Sequence, residues 1–205
     1  MVHKMIVMLA IVTAAMDGPA DISTARGTVG TSAARGTVST SVPPAPQPLS
    51  RQDRDFLVRA HQGSLFEIEA GMIVNRKTDD QDGREAGRAV RVLGAKLVAD
   101  HTKLAKTIRQ VADQLRVKLP NELSAAQRER LEEVVALRGA EFDRAWINME
   151  IVNHREGVAL VKRQIESGSA PMVKKLALVT ERVVRGHLDM FLHAGKILAP
   201  DPSRS

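Results

Sequence analysis

From Ser50 onward, the apolar residues recur at alternating steps of three and four. Phe56, Ala60, Gly63, Glu67, Gly71 and Val74 form a first stripe, and Val90, Leu93, Leu97, His101, Leu104, Ile108, Val111 and Leu115 a second. Asp143, Ile147, Glu150, His154, Val158, Val161 and Ile165 make a third, and Val173, Leu176, Thr180, Val183, His187, Met190, Ala194 and Ile197 a fourth. Such spacing keeps side chains on one face of an α-helix. No segment shows the sustained alternation of a strand.

Local signals bound these helices. Ser50-x-x-Asp53 resembles a capping box with Asp in place of the usual Glu, and the run from Thr78 to Gly83 reads as a turn. Leu119-Pro120-Asn121 breaks the second helix near Arg116, and Ser124 caps a short helix over about 124–137. Gly139 marks a break, Gly168 stops the third long helix, and Pro171 suits the first turn of the fourth. Four long helices with short links predict an all-α, up-down-up-down four-helix bundle over residues 51–198. The extra short helix between the second and third is expected to lie across one end.

The composition fits this picture. Only 2% of the 205 residues are aromatic, so Ala, Val, Leu, Ile and Met must do most of the packing, which suits helices. Cysteine is absent, which excludes disulfides, thiolate metal sites and thiol nucleophiles. Lys4 precedes an apolar run from Met5 to Met16, too short for a bilayer span of roughly 20 residues but suited to a secretory signal. Residues 1–20 are therefore expected to be a signal peptide, 21–50 a Pro/Ser/Thr/Ala-rich disordered linker, and 199–205 a disordered tail. The expected location is exported: periplasm, cell envelope or secreted.

Polar groups interrupt the stripes at related places. His101, His154 and His187 each occupy the apolar face of a different helix, and Glu67 does so on a fourth. Counted down from the turns at 1.5 Å per residue, the histidines fall within roughly 6 Å of one height and Glu67 within about 10 Å. Neutral imidazoles with one carboxylate suit a transition metal such as Zn, Fe or Cu. Asp100 and Glu150 are placed to orient ring N–H groups. Asp143, nearer the start of its helix, has an electrostatic or capping role as its first expectation. The alternative is a structural network in which these polar residues only satisfy one another. His3, His61 and His193 fall off the stripes and read as leader or surface residues.

The formal net charge is +6. Residues 84–118 hold nine Lys or Arg against Glu85, Asp100 and Asp113, so this helix offers a basic face to an anionic envelope surface. Few aromatics and expected export argue against nucleic acid. There is no Gly-x-Ser-x-Gly elbow and no Walker or Rossmann phosphate loop, and no catalytic residue is assigned. A non-enzymatic envelope-associated or stress-related interaction module is the alternative to a metal-binding protein.

Asp53-x-x-Phe56-Leu57, Gly63-x-x-x-Glu67-x-x-x-Gly71, Asp100-His101, Gly139-x-x-Phe142-Asp143-Arg144-Ala145, His154 and His187-Leu188, in this order, resemble the exported bacterial proteins known as domain of unknown function 4142. The resemblance covers about residues 51–198 and implies a ferritin-like four-helix bundle. It picks out Glu67, His101, His154 and His187 and brings no reaction with it. Trp146, Asn153 and Arg182 stand where that family usually has Tyr, Asp and Pro. The paired Glu-x-x-His ligands of di-iron relatives are missing, so no oxidase activity is carried over.

Overall fold

The computed structural model describes residues 48–77 and 85–199. The expected signal segment, the linker up to residue 47, the turn at 78–83, the tail from residue 200, and His3 lie outside the described residues. The described chain forms α1 (Arg51–Lys77), α2 (Glu85–Gln114), α3 (Ala125–Val135), α4 (Gly139–Ser167) and α5 (Pro171–Leu198). Among the described residues there is no strand, and no helix is long and apolar enough to cross a membrane.

The four long helices form a bundle, but their order is up-down-down-up. Trp146 Nε1 donates to Ala70 O at 3.3 Å near one end of the α1–α4 interface. At the other end Gln164 Nε2 donates to Asp53 Oδ1 at 2.6 Å. Residue numbers therefore fall along α4 as they rise along α1, so those two helices run antiparallel. Because α1/α2 and α4/α5 are hairpins, α2 and α4 descend together. The expected up-down-up-down order assumed that consecutive long helices always reverse; α3 supplies the crossover instead. It does not lie across an end. Gln127 Nε2 donates to Gln62 O at mid-α1 (3.2 Å), and Lys77, at the end of α1, donates to the Val135 and Leu137 carbonyls. Thus α3 runs along the α1–α4 groove and returns the chain to the top.

Caps explain several boundaries. Ser124 and Gln127 make a full capping box at α3. At α1, Ser50 Oγ accepts from the Asp53 amide at 3.1 Å, but the Asp53 carboxylate has another task. It accepts from Ser50 Oγ, Gln164 Nε2, Ser169 Oγ and the Ala170 amide, tying the start of α1 to the α4–α5 turn. Gly139 takes a left-handed φ of 56° where α3 gives way to α4.

The core is split. Phe66, Leu97, Trp146, Ile147 and Phe191 belong to one apolar cluster, and Phe56, Leu104, Ile108, Val161 and Val184 to another. On α5 the buried positions are Val184 and Phe191 rather than the expected Val183 and Met190, and Ile197 is exposed. A one-residue change of track keeps a straight helix facing its neighbours over its whole length.

Candidate metal centre

Between the two apolar clusters lies a polar layer. Leu97 and Leu104 bracket His101 on α2, while Met149 and Val161 bracket Glu150 and His154 on α4. Val184 and Phe191 bracket His187 on α5, and Phe66 adjoins Glu67 on α1. All five polar side chains are buried. Apolar walls on both sides keep the local dielectric low, so each unpaired polar group here is costly.

The three histidines converge. One nitrogen from each of His101, His154 and His187 lies within 4.8 Å of the others. Their ring centroids are 5.2–5.9 Å apart, and Phe191 stands 5.0 Å from His154 as an apolar wall. A second set, Glu67, Glu150 and His154, meets the same criterion, so His154 belongs to both.

Hydrogen bonding fixes two tautomers. His154 Nδ1 is 2.9 Å from the Glu150 carbonyl oxygen, which can only accept. Nδ1 therefore carries the proton, and Nε2, which has no partner, presents a lone pair. His187 Nε2 is 3.0 Å from Asp100 Oδ2. The Lys96 ammonium hydrogen-bonds that carboxylate at 2.8 Å and, despite burial, holds it below the usual range, so His187 donates from Nε2 and leaves Nδ1 unprotonated. Both nitrogens of His101 lack partners. Burial first, and then the neighbouring His154 and His187, push His101 well below the ordinary histidine range. Burial also lowers His187, against the pull of Asp100. Burial thus biases His101 and His187 toward neutral rings.

The carboxylates behave differently. Burial, and then the charge of Glu67, raise Glu150 well above its ordinary value, and hydrogen bonding to Glu67 acts in the same direction. The Glu150 carboxyl lies 3.6 Å from His154 Nδ1, and it is the Glu150 backbone carbonyl, at 2.9 Å, that accepts from that nitrogen and orients the ring. Asp100, by contrast, meets His187 through its side chain. Asp143 is buried near the start of α4, but it is not a cap: the N-cap is Arg138, without a side-chain cap bond. Among the described residues, Asp143 is in neither converging set.

Two buried residues escaped the periodicity. Phe191 fell off the α5 stripe by one position. His61 was expected at the surface but is fully buried, with neither ring nitrogen partnered. Burial, followed by Arg109, lowers it. A wider buried arc explains this, since α1 packs against α2, α3 and α4 together. His193 is exposed, as expected.

A family model matches residues 38–193 of the sequence. The chain belongs to the family described as domain of unknown function, DUF4142. No curated protein matches it. The DUF4142 chain is similar in fold to the crystal structure of a DUF305 fragment from Deinococcus radiodurans, with a TM-score of 0.60 and 14% identity. The match covers 73% of this chain and 99% of that one, and it speaks to fold alone.

Proposed function

We propose that this DUF4142 protein is an exported helical bundle that binds a transition metal, Zn, Fe or Cu, in its interior. His101, His154 and His187 are the ligands, and Glu67 is the fourth. The reading rests on one observation: three buried imidazoles from three helices, two of them held by hydrogen bonds, bring one ring nitrogen each within 4.8 Å of one another. Buried polar atoms normally find partners, and a concentration of unpartnered donors and acceptors of this chemistry suits an ion. Asp100 supports the set by orienting His187, as partners of metal-bound histidines commonly do. Export is supported by the Lys4 and Met5–Met16 pattern. No catalytic residue is assigned.

The test is metal analysis of mature protein purified without a metal-binding tag. About one equivalent of Zn, Fe or Cu, lost in a His154→Ala/His187→Ala double variant, supports the reading. Protein that is free of metal and shows no thermal shift with any of these ions overturns it.

A second reading, envelope association, is favoured by the cations along α2. Arg88, Lys103, Lys106 and Arg109 are all exposed there. Reversing Arg88, Lys103 and Lys106 to Glu is expected to release the protein from anionic envelope fractions. Unchanged fractionation removes this role and leaves the metal reading intact.

A further inference from the structure

A cavity of about 370 Å³ joins the polar layer to the surface. Its inner end is lined by Glu67, His101 and His154, and its outer end by Arg59, Arg130 and Glu156. Helix α3 roofs it: Arg130 hydrogen-bonds Asn153 Oδ1 and approaches Glu156 at 3.5 Å. The volume is that of a pocket for a small organic molecule, and its lining mixes apolar surface with a few placed polar groups.

Two glycines make this space. Gly63 on α1 and Gly157 on α4 both line it. Glycine weakens a helix interior, and close packing is the usual reason to tolerate it. Packing does account for Gly71, where a Cβ would stand 2.5 Å from Gly94 O. It does not account for Gly63, where a Cβ would meet nothing within 4 Å, or for Gly157, where the nearest atom is at an ordinary 3.7 Å. These two glycines leave room for a ligand.

Charge indicates the ligand's sign. Imidazole ligands bring no negative charge to a divalent ion, and at the inner end of the cavity Glu67 is the one carboxylate in the lining, so it offsets that charge only in part. Along the cavity, Glu156 balances Arg130, while Arg59 is exposed at the mouth. Asn153 spends its Oδ1 on Arg130 and keeps an unpartnered buried Nδ2, a donor rather than an acceptor. A buried net positive charge calls for an anion.

We propose that the cavity seats a small carboxylate or similar oxyanion, which enters past Arg59 and Arg130 and completes the coordination of the ion. This rests on the metal reading above. The test uses the Cu(II)-loaded full chain titrated with azide, followed by the azide-to-copper absorption band, with acetate as competitor. Saturable azide binding that acetate displaces is expected. Gly63→Leu, which fills the cavity from a position with open space, should abolish the band while copper uptake stays unchanged. Arg130→Ala and Asn153→Asp should each weaken azide at least tenfold. Protein that takes up copper but ignores azide, or binds it equally well in all three variants, overturns the anion seat alone. Protein that takes up no copper overturns the metal reading and this inference with it.

Discussion

His187 Nε2 and Asp100 Oδ2 stand 3.0 Å apart, and this single bond determines which nitrogen of His187 faces the cluster. Replacing Asp100 with Ala frees the ring to rotate and to change tautomer. Metal affinity is expected to fall by about 10- to 100-fold, the usual effect of losing a carboxylate behind a metal-bound histidine. Competition with a chromophoric chelator measures it. Affinity unchanged in Asp100→Ala would show that His187 is not a ligand.

Acid should destabilise the metal-free protein before any ordinary carboxylate titrates. His61, His101 and His187 all have folded-state values below the usual one. Below an unfolded value of about 6.5, the unfolded chain therefore takes up protons that the native state refuses. Stability present above that pH is lost as pH falls, with a slope of up to about 1.4 kcal/mol per unit for each proton. Urea melts in chelator between pH 7.5 and 5 read this directly; a flat profile contradicts it.

Glu150 works in the opposite sense. Its raised value means the native state keeps a proton that the unfolded chain releases above about pH 4.3, so stability falls as pH rises through that window. Glu150→Gln should stabilise the metal-free protein at pH 7 by about 1–3 kcal/mol, since the amide is neutral without having to take up a proton on folding. The same variant should steepen the acid dependence described above, because the opposing term is gone. Equal melting temperatures for the two proteins at pH 7 would count against a strained carboxylate pair.

Asp53 fastens two distant segments, accepting four hydrogen bonds from Ser50, Gln164, Ser169 and the Ala170 amide. These bonds outweigh its burial and lower its value. Its contribution is complete above an unfolded value of about 3.9 and is lost as pH falls through the depressed folded value. Asp53→Ala is expected to cost about 2–4 kcal/mol at pH 7, and much less at pH 2. Denaturant titration at the two pH values tests both magnitude and sign.

The glycines on α1 should part company. Gly71→Ala drives a Cβ to 2.5 Å from Gly94 O and 2.8 Å from Val98 Cγ2, and about 2 kcal/mol or more of stability should be lost. Gly63→Ala meets open space, and about 0.5–1 kcal/mol should be gained from helix propensity. Thermal melts of the two variants should move in opposite directions.

The site was more legible in the sequence than the bundle's topology. Periodicity placed Glu67, His101, His154 and His187 on inward faces, and the structure buries all four. The height argument assumed the wrong direction for α4 and α5, yet it still worked. His154 and His187 lie near the middle of their helices, so reversing a helix hardly moves them. The crossover was hidden because α3 buries little beyond Leu131 and Val134; its course depends on side-chain bonds from Gln127 and Lys77 to distant carbonyls. His61 was missed because a periodic stripe marks the centre of a buried face, whereas its edge depends on how many neighbours the helix has. Phe191 was missed because the face drifts by one residue along a long straight helix.

The converging groups come from α1, α2, α4 and α5, across the chain from residue 67 to residue 187. No fragment of the unfolded chain can bring them together without closing most of that length into loops. An ion seated there would therefore act as a late rivet: absent from early folding, indifferent to local helix formation, and slowing the escape of all four helices at once. Its signature would be kinetic, a slower unfolding limb with the refolding limb almost unmoved.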